Sequence, residues 1–143
     1  MRQQSTSYAE DDALWSAYKD RLRAYKDYPI TNSQFEWAEL IFKQARQIMS
    51  ELGLKLPPMQ ATANCDPDNR YDGECDDELV IDWNSRHASM MSFDVHKSGI
   101  ITWFYMDYRT QKYNWGEWDI ADCNTIPCEA LDFLRLINGE EEE

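Results

Sequence analysis

The sequence predicts a single α+β domain over residues 1–143, with helices and strands segregated along the chain. Three observations support this fold class. Apolar residues recur at helical spacing up to residue 52, the period changes to two between residues 78 and 118, and helical spacing returns after residue 125. The expected order is an N-terminal helical hairpin, an antiparallel meander of three to four strands, and a C-terminal helix.

Two helices are predicted in the N-terminal part of the chain. The first spans about residues 8–25, where apolar side chains form one stripe, and it ends before Pro29. The second begins at Ser33 and Glu36, which have the spacing of a capping box, and ends at Gly53. The short linker between the two helices predicts that they pack antiparallel.

Residues 59–77 are rich in turn formers and acids, which predicts a long exposed acidic loop. Four short segments with alternating polarity follow it, at residues 78–83, 87–95, 100–108 and 113–118. Short polar turns separate them, as in an antiparallel meander. The third segment is apolar on both faces, so we expect helices on one face of the sheet. A homodimer through the other face is an alternative.

The last helix is predicted after Thr125, which can cap it, with Pro127 in its first turn. Its buried stripe includes Ala130 and Leu134, and Gly139 ends it. The acidic tail at residues 139–143 is expected to fray.

The net charge of −13 lies entirely in the C-terminal part of the chain. Residues 1–60 contain eight Lys or Arg and eight Asp or Glu, whereas residues 61–143 contain six and nineteen. Such a field repels nucleic acids and anionic membranes and attracts basic surfaces. The simpler interpretation is that the charge keeps the protein in solution. The basic cluster Lys19, Arg21, Arg23 and Lys26 is interspersed with acids, which predicts a solvated helix face.

No N-terminal apolar segment typical of a secretory signal is visible, and no apolar run is long enough to cross a membrane. We therefore expect a cytoplasmic protein whose cysteines are reduced and buried. If the protein were exported, Cys65–Cys75 and Cys123–Cys128 would be plausible short-range disulfides.

The acidic loop does not fit a calcium-binding template. Placing Gly73 at position 6 of an EF-hand loop puts Asp68 at position 1 but Arg70 at position 3 and Leu79 at position 12. Zinc is also disfavoured, because the cysteines form no C-x₂-C pair. The sequence contains no nucleotide-binding motif and no nucleophile elbow. It therefore predicts neither a metal site nor a cofactor.

The stretch LVIDWNSRHASMMSFDVHKSGIITWFYMD resembles a small bacterial and phage family without an assigned activity. Its pattern is a strand ending in Trp, a turn bearing Arg, and two strands around a Gly turn. In size, charge and α+β organisation, the chain also resembles small acidic inhibitors of host defence from phages and mobile elements, including anti-CRISPR proteins and DNA mimics. That resemblance implies a non-enzymatic protein that blocks a basic surface of a nucleic-acid-processing or defence complex.

Acids of the loop and nearby aromatic residues are the predicted contacts with such a partner, because ordered carboxylates compete for a basic groove and aromatic side chains anchor interfaces. These residues are Asp66, Asp68, Tyr71, Asp72, Glu74, Asp76, Asp77, Glu78, Trp83, Trp115 and Trp118. Two alternatives remain open. One is an antitoxin or immunity protein that uses the same acids against a basic toxin, and the other is a small enzyme whose site is assembled in space.

Overall fold

The structure, a computed structural model, describes residues 2–24, 30–64, 78–85 and 88–137. In chain order the elements are α1 (Arg2–Arg23), α2 (Asn32–Glu51), β1 (Met59–Asn64), β2 (Glu78–Ser85), β3 (Ser89–His96), β4 (Ile100–Asp107), β5 (Lys112–Asp119) and α3 (Cys128–Leu134). The strands form one antiparallel sheet in the order β1-β2-β3-β4-β5. The predicted α+β class and element order are confirmed, with five strands rather than three to four.

The additional strand, β1, lies in the segment that the sequence predicted to be loop. Met59 and Ala61 are buried and stand opposite Trp83 and Ile81 of β2. Their alternation is too short, and their side chains too varied in size, to show a period-two pattern in the sequence. The pairing of β1 with β2 supplies what local propensity does not.

The two N-terminal helices pack antiparallel, as predicted, although α1 begins at Arg2 rather than near residue 8. Their contacts run in opposite directions along the two helices: Asp12 with Arg46, Trp15 with Phe42, Lys19 with Glu39, and Arg23 with Phe35. This arrangement lets the apolar stripes of both helices enter one core.

Three members of the basic cluster on α1 make contacts within the protein, while Arg21 and Arg23 remain exposed, as expected of a solvated helix face. Lys19 approaches Glu39, with 3.5 Å between Nζ and Oε1. The Arg21 guanidinium donates a hydrogen bond to the Ala61 carbonyl of β1, with 3.4 Å between Nη2 and O. Arg23 lies over the Phe35 ring of α2. Cations with long apolar stems pack in this way over neighbouring elements. Lys26 lies outside the described residues.

The N terminus of α2 is capped by Thr31 and Gln34 rather than by the predicted Ser33 and Glu36. Thr31 Oγ1 accepts the Gln34 N–H at 3.1 Å, and Gln34 Oε1 accepts the Thr31 N–H at 2.9 Å, which is a reciprocal capping box. The Gln34 amide also donates to the Val95 carbonyl of β3 at 2.9 Å, and its side chain is fully buried. One side chain therefore both begins α2 and attaches it to the sheet.

The main core lies between the helices and one face of the sheet. Along β2, β3 and β4 every second residue points its side chain to this face and is buried there, as Ile81, Phe93 and Trp103 are. From α3, Phe133 packs against Trp103 and Tyr105, with ring centroids 5.5 and 4.9 Å apart. These large rings fill the layer between sheet and helices.

The final helix, α3, is shorter than predicted and is not capped by Thr125. Its N-cap residue is Pro127, which makes no side-chain capping bond. The Thr125 hydroxyl lies instead 3.2 Å from the Cys123 thiol. Ala130 and Leu134 are buried as predicted. Gly139 and the acidic tail lie outside the described residues.

Gln34→Ala should destabilise the protein by about 2 kcal/mol, since it removes both the cap and the buried hydrogen bond to the Val95 carbonyl. Thr31→Ala should cost about 1 kcal/mol, because it removes the cap alone. Urea denaturation measures both free energies of unfolding.

Ser33→Ala is the matched control and should change the free energy of unfolding by less than about 0.5 kcal/mol, because Ser33 is exposed. If Ser33→Ala lowered the free energy of unfolding as much as Gln34→Ala does, that result would contradict the observed cap.

Candidate functional site

The side of the sheet that faces away from the helices is the candidate functional surface. We call it the open face, because the helix contacts described above all fall on the other side. It carries the alternate side chains of the five strands. Its described members from β2 to β5 are Glu78, Val80, Asp82, Asn84, Met90, Ser92, Asp94, His96, Ile100, Thr102, Phe104, Met106, Tyr113, Trp115, Glu117 and Asp119.

One part of the open face is apolar and aromatic. Met90 stands opposite Met106, Met106 opposite Tyr113, and Phe104 opposite Trp115, so five side chains form one patch across β3, β4 and β5. The Phe104 and Tyr113 rings are stacked with centroids 5.6 Å apart. Tyr113 and Trp115 are 59% and 61% exposed. Contiguous exposed rings of this kind are typical of contact surfaces.

The neighbouring part of the open face is acidic and centres on Asp94. Burial, together with the charges of Glu78 and Asp82, raises the pKa of Asp94 to about 6, and the charge of His96 opposes this rise. A hydrogen bond joins the carboxyls of Asp94 and Glu78. The two carboxyls therefore share a proton in the range where Asp94 titrates.

His96 fixes the position of this pair. Its Nδ1 lies 3.5 Å from Glu78 Oε2, and its Nε2 lies 3.0 Å from the Thr102 hydroxyl. His96 is thus held between a carboxylate on β2 and a hydroxyl on β4. This arrangement can exchange protons locally and present negative charge to a ligand.

Asp82 adds a second half-buried carboxyl to the acidic part. Burial raises the pKa of Asp82. Its Oδ1 is shielded from solvent and accepts no hydrogen bond from the residues that the structure describes. A shielded carboxyl oxygen without a hydrogen bond lowers the stability of the folded state. A hydrogen-bond donor from a partner would remove this cost at Asp82.

Seven of the predicted partner contacts lie outside the described residues: Asp66, Asp68, Tyr71, Asp72, Glu74, Asp76 and Asp77. The ends of their segment are nonetheless placed. Asn64 and Glu78, which flank residues 65–77, stand opposite each other in the β1–β2 register. The densest acidic stretch of the sequence is therefore attached beside Glu78, at the acidic part of the open face.

The other predicted contacts separate into two groups. Glu78 and Trp115 lie on the open face. Trp83 is 2% exposed and packs against Phe93, so it belongs to the core. Trp118 also points toward the helices, contacts Phe93, and donates a hydrogen bond to the Cys123 carbonyl at 2.9 Å. Trp115 is thus the exposed member of the three predicted tryptophan anchors.

Several open-face residues were missed by the sequence interpretation, chiefly Asp94, Phe104, Met106 and Tyr113. Asp94, Phe104 and Met106 alternate with buried neighbours, and this alternation was the available signal, whereas the neighbours of Tyr113 in β5 are exposed. In β4, however, both faces are apolar, so the period-two pattern could not show which face the helices cover.

The exposed cysteines lie away from the open face. Cys123 and Cys128 are free and exposed, not buried as predicted, and Cys65 and Cys75 lie outside the described residues. Hydrogen bonds between Cys123 and Thr125 hold the pKa of the Cys123 thiol below its usual value.

Within the described ranges, no three His, Cys, Asp or Glu side chains are arranged to hold a metal ion. In the same part of the chain, none of the helices combines the length and the apolar character needed to cross a membrane.

Comparison of the chain with protein-family models, with curated proteins and with solved structures finds no match. Any functional inference therefore depends on the chemistry of the open face itself.

Asp94→Asn should stabilise the protein near pH 8 by about 3 kcal/mol at most, because the folded-state pKa of Asp94 is raised from 3.8 to about 6. When the pKa of a carboxyl is higher in the folded than in the unfolded protein, its contribution to stability is fully present below pH 3.8. That contribution is lost as the pH rises through about 6. Thermal denaturation across this range should therefore show wild type falling relative to the variant. The Asn amide replaces the donor of the protonated acid toward Glu78.

Asp122→Asn is the matched control, because Asp122 is an exposed carboxyl in the turn after β5. Its melting temperature relative to wild type should not vary over the same pH range. If the melting temperature of Asp94→Asn relative to wild type were also constant over this pH range, that result would contradict the shared-proton arrangement.

Proposed function

We propose that this protein is a non-enzymatic acidic binding protein that blocks a basic surface of a nucleic-acid-processing or defence complex. The observation that carries the proposal is the open face, where exposed aromatic side chains adjoin carboxylates on the side of the sheet that the described helices leave uncovered. Trp115 supplies an anchor, Glu117 lies two residues along the same strand, and Glu78, Asp82 and Asp94 supply negative potential elsewhere on the face. Aromatic anchors that become buried in the complex, with polar groups around them, are typical of specific protein interfaces.

The charge of the face decides between a protein partner and nucleic acid. Open sheets bearing aromatic side chains also stack the bases of single-stranded RNA in some domains. Those domains pair the rings with cations, which neutralise phosphates. Here the rings adjoin carboxylates, and the chain carries a net charge of −13. A basic protein surface is therefore the better complement.

Complementary charge would also make the association fast. The acidic segment at residues 65–77 directly precedes Glu78 in the chain, so its negative charges add to those of the open face. Negative fields steer a positively charged partner during encounter. An antitoxin or immunity protein acting on a basic toxin would use the same surface, so gene context separates it from a defence inhibitor.

A small enzyme is the second candidate, and the raised pKa of Asp94 favours it. A carboxyl that titrates near pH 6 beside a histidine can serve as a general acid or base. Asp94→Asn would then abolish the reaction.

Trp115→Ala should weaken binding to the partner by about tenfold or more, because an exposed ring becomes buried only in the complex. The melting temperature should change little, since the ring contributes little to the core. The test is affinity purification at low salt from bacterial cells carrying candidate defence complexes, followed by calorimetry with the recovered partner.

Leu136→Ala is the matched control, because Leu136 is 57% exposed on the helix side of the molecule. It should bind with wild-type affinity. Recovery of neither a nucleoprotein, a nuclease nor a basic toxin at low salt would show that the proposed function is wrong.

Neutralising Asp72, Glu74, Asp76 and Asp77 together should lower the affinity by about tenfold or more and reduce its dependence on salt. A second variant removes four exposed acids from the helices instead, at Glu10, Asp20, Glu36 and Glu129. Both variants change net charge equally, so a difference between their measured affinities isolates the position of the charge. Equal losses would place the contact outside the acidic segment.

A further inference from the structure

The edge of the sheet at β5 has a backbone pattern that suits the addition of another strand. In an antiparallel ladder, alternate residues direct both N–H and C=O toward the same neighbouring strand. The Ile120 N–H donates to the Gly99 carbonyl at 2.9 Å, which extends the β4–β5 register by one hydrogen-bonded pair. Counting back by twos, Asn114, Gly116 and Trp118 bond to β4. Tyr113, Trp115 and Glu117 therefore direct their N–H and C=O groups away from the sheet.

The outward-pointing residues of β5 are the same residues whose side chains lie on the open face. Tyr113, Trp115 and Glu117 are all exposed. A strand that paired with β5 would consequently place every second side chain beside these three residues. Main-chain hydrogen bonds and side-chain selection would come from one contact, as in other cases of strand addition.

The two edges of the sheet differ in how they are protected. At β1, helix α1 packs alongside the strand, and Arg21 donates a hydrogen bond to the Ala61 carbonyl. At β5, none of the described helices or strands lies along the outer edge. Exposed edges are usually short, bulged or broken by proline. The β5 edge is eight residues long and has no proline.

Gly116 leaves one position of β5 without a side chain, because the Trp103 ring in the core occupies that space. A Cβ atom at Gly116 would come within 2.7 Å of Trp103 Nε1, so the ring covers the strand where a side chain would stand. The position is therefore fixed by packing on the helix side, while the edge beside it stays accessible.

Charge identifies the occupant of the edge. Pairing with a second copy would bring together two chains that each carry −13. In an antiparallel pair of two β5 strands centred on Trp115, Glu117 would stand opposite Tyr113. In a pair centred on Gly116, it would stand opposite Trp115. A cationic strand would instead place Lys or Arg beside the Trp115 ring and opposite Glu117, where cation–π and cross-strand ionic contacts are both favourable.

We propose that an extended, cationic segment of a partner protein adds to β5 as a sixth strand, with its alternate Lys or Arg side chains on the open face beside Trp115 and Glu117. This inference rests on the proposed function and specifies which element of a basic partner the protein recognises.

The first test uses an eight-residue peptide of alternating Lys and Thr with blocked ends, matched in length to β5. Its control has the same sequence with every backbone amide N-methylated, which keeps the charge and removes the donors. The unmodified peptide should bind at least about tenfold more tightly in calorimetry. Equal binding of the two peptides would overturn strand addition while leaving charge attraction in place. Absence of binding by both would also overturn it, and affinity purification would then judge the proposed function separately.

Amide hydrogen exchange by NMR supplies an internal control within β5. The N–H groups of Asn114, Gly116 and Trp118 should exchange slowly in the free protein, and those of Tyr113, Trp115 and Glu117 rapidly. Addition of the unmodified peptide should slow the second set alone. Unchanged exchange in the second set would contradict the pairing.

A protein variant completes the test. Glu117→Pro removes one outward N–H and leaves the bonds to β4, since proline is tolerated where an edge N–H faces solvent. Glu117→Gln removes the charge only. The proline variant should bind the peptide at least about tenfold more weakly than the glutamine variant, with circular dichroism reporting whether each is folded.

If the proline variant does not fold, the two peptides and the exchange data decide the question. Light scattering that shows a wild-type dimer which dissociates in Glu117→Pro would assign the edge to a second copy and overturn the proposal.

Discussion

The structure depends on the packing of three helices against a single face of a five-stranded sheet. Gln34 attaches α2 to the middle of this sheet through the Val95 carbonyl, and Phe133 attaches α3 through the rings of β4. Burial of the large apolar side chains between these layers supplies most of the stabilisation. Because these helix contacts all lie on one side, the side chains on the other face are selected by something besides the core.

That asymmetry explains the unusual chemistry of the open face. A carboxyl in the middle of a sheet is partly removed from water by its neighbours on adjacent strands, so the pKa values of Asp82 and Asp94 are raised. Each such group lowers stability at neutral pH. Proteins keep destabilising groups of this kind chiefly where they serve a contact or a reaction, because selection for stability alone would replace them.

In the proposed function, the aromatic and acidic parts of the open face would complement each other as a binding surface. Exposed rings gain contact area when a partner covers them, whereas carboxylates determine which partners approach. The free edge of β5 adjoins the rings and adds directional hydrogen-bonding groups to the same region. A basic partner could therefore be recognised by charge at a distance, by ring contacts on docking, and by backbone pairing at the edge.

The sequence alone determined the helical hairpin, the meander and the C-terminal helix, because amphipathic periods of 3.6 and two are local properties of the chain. It also located the negative charge, and it singled out Trp115 and Glu78, which the structure places on the open face. Only the tertiary structure decided that Met59–Asn64 is a strand, that Thr31 and Gln34 cap α2, and that Trp83 is in the core. The grouping of Asp94, His96 and Trp115 on one face likewise depends on strand register. These features depend on pairings between distant segments, and a strand that is apolar on both faces, such as β4, does not show in its sequence which side the helices will cover.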